Sequence, residues 1–255
     1  MKYALSCFLA MVVAVSLNIG APESTTENEN KNEVQKIEVR DFTGQSQAVE
    51  LTEADRAFEN DNPIVYQALS DLEESFDKLC VLEESGVNVG AYKQDICALA
   101  DFIRVVGIQI KVEEVSLPGQ SLNSAETVVY RADAGKGAWI TNAAGYASYK
   151  EVMAEDGVAS DGTVDNAKKH AKWSATATIL SEDALYTKYF TDAHEFGHPL
   201  NFANAENFYD SDMDMKNNAI GREIGQELRE KGKFRAMKAL DSRIEQESEN
   251  LITLK

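Results

Sequence analysis

Apolar residues recur at three- and four-residue steps along most of the chain, which is the pattern of amphipathic helices. One such stretch begins at Pro63 and the next near Tyr92, and Gly86 and Gly90 separate the two. This pattern predicts an antiparallel hairpin of two helices. A shorter helix is expected after Thr52.

The same periodicity returns in the second half of the chain. It predicts helices near 144–155, 165–180, 182–195, 213–230 and 233–250. Between the two helical regions, β-branched and aromatic residues at 128–130 and 138–140 flank Gly135-Lys136-Gly137. That arrangement predicts one short β-hairpin. The expected fold class is therefore mainly α: a helical bundle with an N-terminal helical hairpin and one short β-hairpin.

The first 21 residues have the pattern of a secretory signal peptide. Lys2 precedes an apolar run from Tyr3 to Leu17, and small residues follow that run. The run is too short to span a bilayer comfortably. We therefore expect a secreted or periplasmic protein with no membrane span in the mature chain. A retained membrane anchor is the alternative.

Composition divides the rest of the chain into three parts. Residues 22–36 are polar, and this composition predicts a disordered tether. Residues 37–115 are expected to form a helical hairpin module. Residues 116–255 are expected to form a C-terminal helical domain that carries the functional site.

Charge and cysteine content restrict the partners and the compartment. The formal net charge is −18, from 43 acidic and 25 basic residues, so bulk attraction to nucleic acid or to anionic membranes is not expected. Two cysteines, Cys80 and Cys97, lie nearly equidistant from the predicted hairpin turn. In an exported chain this placement predicts a disulfide across the hairpin.

All three histidines fall within 29 residues, at His170, His194 and His198. Histidine is the side chain that most often binds metal or transfers protons near neutral pH. His194, Glu195 and His198 also form the His-Glu-x-x-His string of zinc metallopeptidases. Pro199 follows immediately and disfavours helix at His198, so the peptidase stays an alternative rather than the preferred interpretation.

Further polar residues fall on helix faces that are otherwise apolar. His170 shares a stripe of its predicted helix with Ala171 and other small residues. Asp214 and Asn218 lie one turn apart on a helix whose Ile224 is expected to face the core. A buried carboxylate must be paired, protonated or bound to metal, so these positions are candidates for chemistry.

Three sequence blocks resemble a bacterial domain family of unknown function. They read His-Ala-x-Trp from His170, Asp-Ala-His-Glu from Asp192, and Met-Asp-x-x-Asn-Asn-x-x-Gly-Arg from Met213. Such domains occur in exported proteins and at the C-termini of some wall-associated or toxin-like polypeptides. The resemblance covers roughly residues 140–230 and implies no particular reaction.

The chain departs from that family at several positions. Relatives often have Asp, Arg and Asn where this chain has Asn166, Lys169 and Ser174. His198 does not belong to the family pattern. The departures put a role for the first three positions in doubt, and the last point favours coincidence for the His-Glu-x-x-His string.

These observations define one candidate site. The candidate catalytic residues are His170, His194, Glu195, Asp214, Asn217 and Asn218, with Arg222 nearby. The candidate metal ligands are His170, His194 and Asp214, and the candidate cofactor is a divalent metal. We expect a metal-assisted or acid–base hydrolase acting on an envelope or extracellular substrate. The alternatives are a non-catalytic binding or structural helical module and the zinc metallopeptidase.

Overall fold

The computed structural model describes residues 36–40, 46–50, 53–117, 120–152 and 162–254. Within these ranges the protein is mainly α-helical, and the prediction of a helical bundle is confirmed. The predicted signal peptide and almost all of the predicted tether lie outside the described residues. No helix in these ranges combines the length and the apolar character needed to cross a bilayer.

The secondary structure of the described ranges consists of helices and two short strand pairs. The helices of the described ranges are α1 (Glu53–Asp61), α2 (Pro63–Glu84), α3 (Gly90–Gln109), α4 (Ser124–Ala132), α5 (Ala134–Val152), α6 (Val164–Ser181), α7 (Ala184–Phe196), α8 (Ala205–Arg229) and α9 (Lys233–Glu247), with 3-10 turns at Pro199–Phe202 and Ser248–Asn250. Two antiparallel ribbons pair β1 (Lys36–Arg40) with β2 (Ser46–Glu50) and β3 (Ser116–Leu117) with β4 (Gln120–Ser121).

The N-terminal hairpin forms as predicted, from α2 and α3, and α1 is the short helix expected after Thr52. Pro63 occupies the start of α2, where its missing N–H removes no helical hydrogen bond. Gly107 lets α3 approach α2 closely, because a Cβ at that position would lie 2.6 Å from Cγ1 of Val65.

The β-hairpin predicted for 128–140 is wrong, because those residues belong to α4 and α5. A capping box starts α4 just before them. Asn123 Oδ1 accepts the backbone N–H of Glu126, and Glu126 Oε2 accepts the backbone N–H of Asn123, each at 2.8 Å. These two bonds satisfy N–H groups that a helix start leaves unpaired, and they outweigh the β-propensity of the valines that follow.

The Gly-Lys-Gly string lies in the first turn of α5 rather than in a β-turn, and its second glycine allows a close packing contact. Asp133 Oδ1 accepts the backbone N–H of Lys136 at 3.0 Å and so begins α5. A Cβ at Gly137 would lie 2.7 Å from Cδ2 of Tyr130. The glycine is therefore explained by the approach of the tyrosine ring.

The predicted disulfide is also wrong, since Cys80 and Cys97 are both free. Cys80 lies four residues before the end of α2, whereas Cys97 lies seven residues after the start of α3. At 1.5 Å per residue the two positions are offset by about 4.5 Å along the hairpin. The thiol of Cys80 instead interacts with Lys93, one turn before Cys97.

Two helices begin earlier than the periodicity indicates. The helix predicted from 213 starts at Ala205, because Asn204 caps it by accepting the backbone N–H of Asn207 at 2.9 Å. The helix predicted from 144 starts at Ala134. The first turn of α8 carries few apolar residues, whereas Gly135 and Gly137 in the first turn of α5 indicated a turn rather than a helix start.

The main hydrophobic core crosses the predicted boundary between the hairpin module and the C-terminal domain. It joins Leu72 and Leu99 of the hairpin to Val128, Phe190 and Phe196. The hairpin thus packs against the helices that carry the candidate site. The division into two separate units stays a prediction.

Helices α6 and α8 approach each other to backbone contact. A Cβ at Gly221 would overlap the carbonyl oxygen of Ala171, and one at Gly225 would lie 2.7 Å from the carbonyl oxygen of Ala175. A glycine inside a helix costs about 1 kcal/mol relative to alanine. Here the two glycines permit contact between the backbones of α6 and α8, which brings the side chains of the two helices together.

Candidate functional site

A cleft of about 300 Å³ lies between α4, α5, α6 and α7. We call it the histidine cleft, because His170 of α6 and His194 of α7 both line it. Its lining also includes Glu126, Lys169 and Trp173. The cleft thus combines ionisable groups with apolar walls, as small-molecule sites do.

His170 pairs with Asp214 across the α6–α8 contact. His170 Nε2 lies 3.3 Å from Asp214 Oδ1, and Asn166 Nδ2 donates to the same oxygen at 3.2 Å. Burial, assisted by the positive charges of His194 and Lys169, lowers the pKa of His170 to about 3. The imidazole is therefore neutral at physiological pH, the form in which histidine binds metal.

Two buried nitrogen atoms beside this pair make no well-formed hydrogen bond among the described residues, although their side chains interact with each other. They are Nδ1 of His170 and the side-chain nitrogen of Asn218. His170 is 9% exposed and Asn218 is 1% exposed. Asn218 Oδ1 accepts a hydrogen bond from Ser174 Oγ at 2.8 Å, so only the amide nitrogen is unpaired. Unpaired buried polar groups are rare and often mark the place of a ligand, ion or water.

His194 is held by a carboxylate from another helix. Its Nδ1 lies 2.8 Å from Glu126 Oε1. Burial alone would lower the pKa of His194, but the hydrogen bond to Glu126 and the charges of Glu126, Glu195 and Asp214 outweigh it and raise the pKa to about 9. The two cleft histidines thus differ in charge: His194 is an imidazolium and His170 is neutral.

Asn123 connects this carboxylate to the end of α7. Its Nδ2 donates to the carbonyl oxygen of Ala193 at 2.9 Å. Gly197 makes room, because a Cβ there would lie 2.5 Å from the side-chain atoms of Asn123. The sequence analysis missed Asn123 and Glu126. Their Asn-x-x-Glu spacing before an apolar run is the signal of a capping box, and it could have located both residues but not their contact with His194.

Glu195, rather than His194, joins His170 and Asp214. One potential ligand atom of each lies within 4.8 Å of those of the other two. A ring nitrogen with two carboxylate oxygens is a donor set that suits divalent metals. The structure therefore places Glu195 where the sequence prediction placed His194.

The carboxylate of Glu195 is buried within the bundle. Its Oε2 accepts a hydrogen bond from Asn201 Nδ2 at 3.1 Å. Burial raises the pKa of Glu195, while the positive charge of His194 and a hydrogen bond from Ser211 oppose the shift. A nearby cation would add to these opposing effects and favour the ionised form.

The His-Glu-x-x-His string does not form the helical metal site of a zinc peptidase. Helix α7 ends at Phe196, and His198 lies beyond it with φ −121° and ψ 86°, directly before Pro199. The rings of His194 and His198 are 6.1 Å apart and nearly perpendicular. His198 is exposed and does not belong to the ligand cluster of the described residues. As its position in the sequence predicts, Pro199 keeps His198 out of the helix.

Two residues near the predicted site have partners elsewhere. Asn217 exchanges two hydrogen bonds of 2.9 Å with the backbone of Ile252 and so attaches the C-terminal segment. Arg222 Nη1 donates to Thr191 Oγ1 at 3.1 Å, and its charge acts on the buried Asp192. Both contacts contribute to the packing of the bundle, and the catalytic role predicted for Asn217 stays a prediction.

Comparison with known proteins agrees with the resemblance to a family of unknown function. Residues 133–248 match the family described as a domain of unknown function, DUF6973. The matched range contains His170, His194, Glu195 and Asp214, but it begins after Glu126. No curated protein and no solved structure matches the chain.

Proposed function

We propose that the histidine cleft is the active site of an exported hydrolase in which His170, Glu195 and Asp214 bind a divalent cation. The observation that carries the proposal is the convergence of these three donor groups from α6, α7 and α8. Buried carboxylates are costly even when paired, so apolar residues would stabilise a purely structural bundle better. The predicted signal peptide supports export and an envelope or extracellular substrate.

The charges around the cleft support a cation. Glu126, Glu195 and Asp214 all act on His194, so three carboxylates stand against the two positive charges of His194 and Lys169. A divalent cation would balance the remaining negative charge. The neutral state of His170 suits a ligand, because no proton must leave before its lone pair becomes available.

The orphaned buried nitrogens provide independent support. Nδ1 of His170 and the side-chain nitrogen of Asn218 lie beside the proposed ligands and make no well-formed hydrogen bond in the described part of the chain, although the two side chains interact with each other. An unpaired buried group costs roughly 1–3 kcal/mol. A bound substrate or an ordered water would satisfy them and recover that free energy.

The protein groups divide the chemistry of hydrolysis between them. A bound divalent cation would activate water and polarise the bond to be cleaved. His194 donates Nδ1–H to Glu126, so its Nε2–H is left to stabilise developing negative charge or to protonate a leaving group. Glu126 orients this imidazolium because its second oxygen is fixed by the backbone N–H of Asn123.

Metal analysis of matched variants tests the proposal. The parent protein should contain a stoichiometric divalent cation by plasma mass spectrometry and hydrolyse at least one member of a panel of lipids, glycans and peptides. Asp214→Asn keeps the side-chain shape, and it should lose the cation and at least 100-fold in kcat. His198→Ala removes an exposed histidine outside the cluster and should retain both.

A non-catalytic structural module is the competing interpretation. The hydrogen bonds of Ser174 with Asn218 and of Asn217 with Ile252 favour it, since they tie α6 and the C-terminal segment to α8. It predicts no bound cation, no activity and a lower melting temperature for Asp214→Asn. A folded variant that has lost only the cation and the activity excludes it.

A further inference from the structure

We infer that the turn between α8 and α9 is a docking surface for an anionic membrane. The surface, which we call the basic tip, comprises residues 229–238 and the exposed side chain of Leu185. Its occupant is the surface of a lipid bilayer whose head groups carry negative charge. The inference goes beyond the proposed hydrolase and does not depend on it.

Positive charge is concentrated in the basic tip. Positions 229–238 hold five of the 25 basic residues of the chain and one acidic residue, so their net charge is +4 in a protein whose total is −18. The basic residues are Arg229, Lys231, Lys233, Arg235 and Lys238, and the acidic residue is Glu230. The Debye length at physiological ionic strength is about 8 Å. A membrane that touches the tip is therefore screened from acidic residues on the far side of the bundle.

Three of these positive charges can reach lipid head groups. Lys231, Arg235 and Lys238 are exposed, and none of them forms a salt bridge within the described ranges. The carboxylate of Glu227 is close in sequence, but it lies 3.2 Å from Nε of Arg243 and is paired there. Each lysine or arginine near an anionic bilayer adds to the attraction. The tip thus has the charge that such a surface requires.

An exposed aromatic side chain lies among these charges. Phe234 is 83% exposed, more than any other large apolar side chain of the described residues. The opposite face of α9 is the buried one, and it consists of Ala236, Leu240 and Ile244. Lys238 follows Phe234 by one helical turn, so the two side chains share a face. An aromatic ring beside lysine suits the lipid interface, where the ring inserts and the cation stays with the head groups.

The basic tip is held by the end of α6 and the start of α7. Arg229 Nη1 donates to the carbonyl oxygen of Glu182 at 2.6 Å. Lys233 Nζ lies 2.9 Å from Glu182 Oε1 and donates to the carbonyl oxygen of Leu180 at 3.1 Å. Leu185 follows Glu182 by three residues and is 61% exposed, so it adds a second apolar side chain at this end of the bundle. Because the turn is fixed, little conformational freedom is lost on docking.

The small size of the tip favours a bilayer over a protein partner. A stable protein interface buries about 800 Å² on each side and uses about 20–30 residues. The tip offers ten consecutive residues and two exposed apolar side chains, Phe234 and Leu185. That is enough for shallow insertion between head groups but well below the size of a stable protein interface.

A tryptophan reporter tests the insertion. In the full chain, Phe234→Trp is combined with Trp139→Phe, which removes the exposed indole at position 139. The protein is mixed with vesicles of phosphatidylcholine alone or of equal amounts of phosphatidylcholine and phosphatidylglycerol. We expect the anionic vesicles to shift the emission to the blue, and brominated acyl chains to quench it, whereas neutral vesicles do neither. Leu200→Trp in the same background is the matched control, since Leu200 is 72% exposed outside the tip and should not respond.

Paired lysine substitutions in the reporter protein test the electrostatic attraction. Lys231→Gln with Lys238→Gln should weaken the binding of anionic vesicles by about tenfold or more. Lys111→Gln with Lys216→Gln removes the same charge from exposed positions outside the tip and should leave the binding unchanged. Salt at about 1 M, where the Debye length is about 3 Å, should abolish the response.

An unresponsive Phe234→Trp reporter overturns the membrane as the occupant and leaves an acidic protein surface as the candidate. Equal responses to neutral and anionic vesicles overturn the role of charge, as do equal losses in the two lysine pairs. An equal response of Leu200→Trp overturns the location. None of these measurements involves the histidine cleft, so their failure leaves the Asp214→Asn test of the hydrolase intact, and failure of that test leaves the vesicle result intact.

Discussion

Glu126 Oε1 lies 2.8 Å from Nδ1 of His194, although the two residues are 68 positions apart and belong to different helices. The contact joins the start of α4 to the end of α7 across one wall of the histidine cleft. It places a carboxylate beside an imidazole, so His194 keeps its proton at pH values well above its usual pKa.

Glu126→Gln should lower the pKa of His194 from about 9 toward its ordinary value. The amide retains the shape of the side chain but loses the hydrogen-bonded negative charge, while the charges of Glu195 and Asp214 remain. NMR titration of the His194 ring proton in metal-free protein measures the shift. The resonance of the exposed His198 is the internal control, and a pKa of His194 that stays near 9 would contradict the role of Glu126.

Gly221→Ala should destabilise the fold by about 1–3 kcal/mol, because the new methyl group meets the backbone of Ala171 and forces α6 and α8 apart. Urea denaturation gives the free energy of unfolding. Gly90→Ala is the matched control: nothing lies within 4 Å of its added methyl group, and alanine favours the helix that starts there. Similar values for the two variants would mean that the helices are not in backbone contact.

Stability should fall between pH 5 and pH 8 because of Glu73. Burial, with the negative charge of Asp77, raises the pKa of Glu73 from 4.5 to about 8 against the attraction of Arg104. In this window the folded protein binds more protons than the unfolded chain, so the free energy of unfolding decreases as the pH rises.

Glu73→Gln removes that contribution. Relative to the parent, the variant should gain about 3 kcal/mol between pH 5 and pH 8. Urea denaturation of both proteins at the two pH values cancels the effects of the other ionisable groups. A parallel pH dependence in the two proteins would show that Glu73 is ionised in the fold at neutral pH.

Cys80 and Cys97 should both be alkylated by iodoacetamide in denatured, unreduced protein. The reason is the offset of the two positions along the α2–α3 hairpin, which leaves Cys80 beside Lys93. Mass spectrometry of tryptic peptides identifies each labelled thiol. A disulfide-linked pair of peptides would require a different register between the two helices.

The apolar periodicity predicted most helices because each helix buries one stripe, and the stripe is visible in the sequence. The prediction for residues 128–140 was wrong because two polar residues outside the stripe, Asn123 and Asp133, start the helices there. Hydrogen bonds of this kind leave no mark on the hydrophobic pattern. Helix starts are therefore read from single polar residues rather than from periodicity.

The candidate site was predictable only in part. His170 and Asp214 were found because a polar residue on an apolar face needs a partner, and the structure brings them within 3.3 Å. Glu126 was missed because its partner is distant along the chain. Asn217 bonds the backbone of Ile252 whereas its neighbour Asn218 bonds Ser174, because adjacent residues on a helix point about 100° apart, and periodicity alone does not separate two such neighbours.

The contact between the backbones at Ala171 and Gly221 limits how the proposed cation site can respond to different ions. Helices with side chains between them can slide by small rotamer changes, but two backbones in contact have no such layer to rearrange. Zinc and calcium form ligand bonds of about 2.0–2.2 and 2.3–2.6 Å. A mismatch in ionic radius must therefore appear as lost affinity, since the spacing between His170 and Asp214 has little freedom to follow the ion.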